Sequence, residues 1–126
     1  MSARGQRLKD LLELQERLKR MHEMRRAGHL ASAAAATREI DEVMARRSDD
    51  GSLSDLFPDV YARFVDRAHD RRRAEETAAE QQAREVARQT MRAKVTAREL
   101  KAEQDVEDRR LQERDALEAV ERKLRS

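Results

Sequence analysis

Leu11, Leu14, Leu18 and Met21 recur at alternating three- and four-residue steps, the spacing of a heptad seam along a long helix. The seam then runs through a stretch of small residues, 31–36, and re-emerges at Ala36, Ile40 and Val43 in a shifted register. A second helical pattern opens with Val60, Phe64 and Ala68, followed by Val86, Ala93 and Leu100 at seven-residue intervals. Val106, Leu117, Val120 and Leu124 then follow in another register. Each register shift is expected as a stutter that locally relaxes a supercoil.

The strongest punctuation between the two patterns lies at Ser48-Asp49-Asp50-Gly51-Ser52-Leu53-Ser54-Asp55, a cluster of turn and cap residues. It divides the chain into a first helix expected at 5–47, a turn at 48–54 and a second helix at 55–124. Ser54 or Asp55 is placed to cap the second helix. Pro58 falls in its first turn, where the missing N–H costs little. A short turn selects an antiparallel neighbour over a parallel one. The expected fold is therefore all-α, one antiparallel two-helix coiled-coil hairpin spanning 1–126.

Folding about Gly51 sets Leu18 near Val86 and Leu11 near Ala93. It also sets Val43 against Val60 and Ile40 near Phe64, while 33–36 face Ala68. The expected core is thus Leu14, Leu18, Met21, Ile40, Val43, Val60, Val86 and Ala93. Residues beyond about 98 have no intrachain partner. They form a longer, overhanging C-terminal helix carrying Leu100, Val106, Leu111, Leu117, Val120 and Leu124. An apolar stripe left uncovered in this way is a docking surface.

Composition sharpens this picture. Among 126 residues, 43% are charged and 2% aromatic, and mean hydropathy is -1.03, so no thick globular core can form. Ala, Leu, Arg, Glu and Lys are good helix formers, and three Gly and one Pro are too few for a disordered chain. Gly28 sits mid-helix, where it costs about 1 kcal/mol relative to Ala.

The 28 Lys and Arg are offset by 26 Asp and Glu. They are interspersed as pairs such as Glu13–Arg17, Glu80–Arg84 and Glu118–Arg122, each acid four residues before its base. Such pairs add roughly 0.2–0.5 kcal/mol apiece and leave a self-neutralised face, unlike the clustered cations that hold nucleic acid. Arg71-Arg72-Arg73 is the densest basic run, yet Glu75 and Glu76 follow it.

The residues also argue against chemistry. Cysteine is absent, which removes disulfides and thiolate metal sites. His22, His29 and His69 are too scattered to share a metal and read as surface histidines. No phosphate loop, nucleophile triad or cleft carboxylate pair occurs. The expectation is a protein without catalytic, metal or cofactor-binding residues. No apolar run approaches the ~20 residues that cross a bilayer, and the first seven residues lack a secretory segment. A cytoplasmic location is expected.

Two short stretches resemble the flagellar export protein FliJ family and its type III secretion counterparts. One is Tyr61-x-x-Phe64-Val65; the other is Lys94-x-x-x-Arg98-x-Leu100-Lys101 with Val106-x-Asp108-Arg109. The resemblance spans about residues 7 to 117. It implies a coiled-coil stalk that enters the pore of the hexameric export ATPase and links it to the transmembrane export gate, with a role in handling export chaperones. It also implies a location peripheral to the inner membrane, and a monomer outside the complex.

By this resemblance Leu8, Leu11, Leu12, Leu100, Val106 and Arg109 would meet the ATPase, and Phe64 and Ala68 the gate. The chain departs from the family in carrying Asp108-Arg109 for Glu-Arg. It also has a basic tail, Glu121-Arg122-Lys123-Leu124-Arg125, and places Arg71 and Glu75 where an apolar gate stripe would continue. The rival readings are a homodimeric coiled-coil scaffold or chaperone and, more remotely, a basic-helix nucleic-acid binder.

Overall fold

A computed structural model describes residues 1–48 and 56–126. The described residues form two helices packed against each other, α1 (Ala3–Arg47) and α2 (Pro58–Arg125), with no strand among them. Their 45 and 68 residues correspond to lengths of roughly 70 and 100 Å. The expected turn centre at Gly51 and the expected caps Ser54 and Asp55 lie outside the described residues.

Helix ends follow local chemistry. Ser2 caps α1: its Oγ accepts the Gly5 N–H at 3.0 Å and donates to Glu103 Oε1 at 3.0 Å. Arg46 and Arg47 close the last turn of α1, opposite the negative end of the helix dipole. Pro58 is the first residue of α2, and Asp59 stands in its first turn.

The chain divides into two compact units. The first contains residues 20–87. In it α1 buries or half-buries His22, His29, Ala33, Ala36, Ile40 and Val43, and α2 does so with Tyr61, Val65, Ala68, Arg72, Glu75, Ala79, Gln82 and Val86. His22 Nδ1 meets Gln82 Oε1 at 2.6 Å, His29 Nδ1 meets Glu75 Oε2 at 2.6 Å, and Arg71 pairs with Glu39.

Residues 1–19 and 88–126 make up the second unit. Gly5, Leu8, Leu12, Gln15 and Lys19 of α1 are buried or half-buried here, as are Gln89, Ala93, Thr96, Leu100, Glu103 and Glu107 of α2.

Burial along each helix steps by three and four residues in one heptad phase, without the stutter expected between Met21 and Ala36. That phase lies one residue from the expected one at Leu11, Leu14, Leu18 and Met21 and at Val60 and Phe64. It coincides with the expected one at Ala36, Ile40 and Val43 and at Ala68, Val86, Ala93 and Leu100. Leu14 is 52% exposed and Val60 57% exposed, because the seam passes through Gln15 and through Tyr61 and Val65 instead. Ile40 and Ala93 are buried, and Leu18, Met21, Val43 and Val86 are half-buried. Register is set where small residues allow close approach: Ala36 is fully buried and Ala68 nearly so. His22 with Gln82 and His29 with Glu75 keep the offset expected for Leu18 with Val86.

Candidate functional site

Two surfaces carry exposed apolar side chains close together. One lies at the start of α2, in the unit spanning 20–87. Val43, Arg46, Phe57, Val60, Tyr61 and Phe64 line a shallow, mainly apolar hollow of about 350 Å³. Phe64, expected to meet a gate, is exposed there. Ala68, expected to join it, is buried one turn further on. Phe64 therefore offers a contact surface, while Ala68 supports it from within the helix packing. The aromatic ring stays outside because Tyr61 and Val65, its neighbours on either side, take the seam positions.

The second surface belongs to the unit of residues 1–19 and 88–126. Of the six expected ATPase contacts, Leu8 is buried, and Leu12 and Leu100 are half-buried within the helix packing. Leu11, Val106 and Arg109 are exposed. From Asp108 onward every residue of α2 is exposed, including Leu111, Leu117, Val120 and Leu124. Ser2 and Gly5 fix where α1 begins beside this helix. A Cβ added at Gly5 would come 2.9 Å from Met1 Cγ and 3.1 Å from Ser2 Oγ, so glycine makes room for the cap that reaches Glu103.

Polar residues occupy the seam in ways the sequence reading missed. Gln15, Gln89 and Thr96 are buried, and the Oε1 atoms of Gln15 and Gln89 have no hydrogen-bond partner. His22 and His29, expected on the surface, are half-buried and face Gln82 and Glu75. Projecting the seven-residue phase of Ala36 and Val43 back to residues 15, 22 and 29 would have found all three α1 positions.

The basic run is only partly solvated. Arg71 pairs with Glu39, and Arg72 lies half-buried with its Nε 3.8 Å from Glu76. Of the expected pairs four residues apart, Glu80–Arg84 closes at 3.1 Å.

Among the described residues no group of three His, Cys, Asp or Glu is placed to hold a metal ion. No described helix is long and apolar enough to cross a membrane. The hollows are open and shallow, unlike the enclosed clefts that bury a small molecule. The chain matches no family model, no curated protein and no solved structure.

Proposed function

We propose that this chain is a non-enzymatic coupling subunit of a flagellar or type III protein export apparatus. Its two helices form an antiparallel coiled coil, as the succession of His22–Gln82, His29–Glu75 and Glu39–Arg71 supports. The uncovered end of α2 docks into the hexameric export ATPase, and the Phe64 surface meets the export gate. Export chaperones are further partners. The protein works in the cytoplasm, held near the inner membrane by the apparatus, and it binds no nucleotide itself.

The observation that carries this reading is the continuous exposure of α2 from Asp108 to its end. A helix of 68 residues whose last turns keep Leu111, Leu117, Val120 and Leu124 in water is stabilised when those side chains are covered. The ATPase contacts fall on Leu11, Val106 and Arg109. Leu8, Leu12 and Leu100 act through the packing that holds those three in place.

Co-sedimentation with the cognate export ATPase tests the reading. Chain truncated after Arg98 is expected to lose binding that full-length chain shows. Equal binding by both would refute it. The alternative, a homodimeric scaffold in which the bare helix end pairs with its twin, predicts a concentration-dependent dimer in sedimentation equilibrium.

A further inference from the structure

In the unit of residues 1–19 and 88–126, each helix has a seam and two flanks. A groove lined by Leu12, Glu16, Lys19, Thr90, Lys94 and Ala97 marks where one flank of α1 meets one flank of α2. The remaining flanks must share the opposite side. On α1 that flank holds Leu11, Leu14 and Leu18; on α2 it holds Val95, Ala102 and Val106, with Met91 at its edge. The seam was expected at Leu11 and Leu14. With the seam one residue away, Leu11 and Leu14 form a second apolar stripe facing water, with Leu18 half-buried at its end.

Leu11 is 43% exposed, Leu14 52%, Met91 60%, Val95 49% and Val106 37%. Together they expose roughly 400 Å², within the ~300–600 Å² of the largest apolar patch on an ordinary monomer, which is often functional. That is close to the apolar share, about 450 Å², of the ~800 Å² each partner buries in a standard stable complex. A second copy would set the arginines of this face against its own, so the face fits instead the apolar stripe of a single helix of opposite charge.

Charge specifies that helix. Arg4 and Arg7 on α1 and Arg92 and Arg109 on α2 lie on the same flanks, all exposed. None of the four takes part in the ion pairs seen among the described residues. Glu99 and Glu113 are the acids on these flanks, with Asp10 and Asp105 at the edge that Met91 shares. Arg17 and Arg98 stand at the same edge, so the rim is net positive.

We infer that this face docks an amphipathic α-helix whose polar side is acidic. Leu11, Leu14 and Val95 receive its apolar residues, and Arg7, Arg92 and Arg109 meet its carboxylates. The inference deepens the ATPase-docking reading, since Leu11, Val106 and Arg109 belong to both, and it names the chemistry expected of the contacted segment.

The probe is a fluorescein-labelled synthetic helix with leucines at heptad spacing and glutamates elsewhere. Two controls replace its glutamates by lysine or its leucines by serine. Fluorescence anisotropy with the full chain is expected to show binding of the acidic peptide that weakens as salt rises, with at least tenfold weaker binding of both controls. The double variant L14S/V95S should lose tenfold or more in affinity at unchanged helical circular dichroism. R7E/R92E should lose as much, which keeps the test sound if the first variant unfolds.

Equal binding of the lysine peptide, or wild-type affinity in both variants, would overturn the inference. So would a micromolar dimer of the chain that L14S/V95S dissolves, since the face would then belong to a second copy. No ATPase enters this assay, so its failure is separable from failure of the co-sedimentation. Peptide binding without ATPase binding would sink only the export reading, whereas the reverse would move the ATPase contact to the bare end of α2.

Discussion

Exchanging the characters of Leu14 and Gln15 separates two seams that differ by one residue. In the structure Gln15 is 9% exposed and its Oε1 lacks a partner, whereas Leu14 is 52% exposed. The substitution Gln15→Leu removes a buried acceptor whose desolvation costs about 1–3 kcal/mol. It also exchanges polar for apolar surface in a site that already buries the Gln methylenes. Allowing for imperfect fit of the branched side chain, a net gain of about 1–2 kcal/mol is expected.

Leu14→Gln forfeits only the buried half of a side chain worth about 1.5–3 kcal/mol when fully covered, and retains some of that through its own methylenes. The loss should be about 1 kcal/mol or less. Thermal unfolding followed by circular dichroism at 222 nm resolves these, since 1 kcal/mol shifts Tm by about 3–5 °C at this chain length. If Leu14→Gln cost more than about 2 kcal/mol while Gln15→Leu was neutral, the seam would run through Leu14. The docking face built on Leu14 would then vanish with it.

Other perturbations check different parts of the account. Gly28 has nothing within 4 Å of where a Cβ would sit, so Gly28→Ala should stabilise by about 1 kcal/mol in chemical denaturation. Ala36 is fully buried, so Ala36→Leu should destabilise by about 1–3 kcal/mol through overpacking. An unchanged Tm would show the helices there to be further apart. Phe64→Ser should leave stability within about 1 kcal/mol of wild type, yet weaken binding to the export gate under the function proposed. Glu39→Ala breaks an exposed ion pair with Arg71 and should cost under about 1 kcal/mol. A larger loss would mean the pair is shielded from solvent.

Much of the fold can be read from the chain before any coordinates. The turn cluster and Pro58 divide it into two helical stretches, and the observed Ala3–Arg47 and Pro58–Arg125 lie within three residues of the expected ends. The phase could not be read as easily. The first helix carries two apolar stripes side by side, Leu8 with Leu12 and Leu11 with Leu14 and Leu18, and apolar spacing alone favours the longer one. The true seam is hidden because Gln15, Lys19, His22 and His29 occupy it in polar form.

The same ambiguity recurs at the start of α2, where Val60 and Phe64 compete with Tyr61 and Val65 at equal spacing. What settles it is packing between helices. Ala33, Ala36 and Ala68 admit close contact, and closeness between backbones is invisible to a count of apolar residues along one helix.

The surfaces follow from that offset. Leu14 and Val60, read as core, became exposed, and three of the six residues read as ATPase contacts became packing. Exposure of the last turns of α2 was legible from chain length, since one helix is 45 residues long and the other 68. It begins at Asp108 rather than after about 98, however, because α1 starts at Ala3 and Ser2 reaches Glu103.

A coupling subunit seated on the axis of a six-fold ring can occupy it only once, because one asymmetric chain fills the place that six equivalent subunits share. Native mass spectrometry of the chain mixed with its export ATPase counts both components in one species. The account predicts six ATPase subunits with one copy of this chain. A complex carrying one chain per ATPase subunit, or a hexamer that forms without the chain attached, would contradict it.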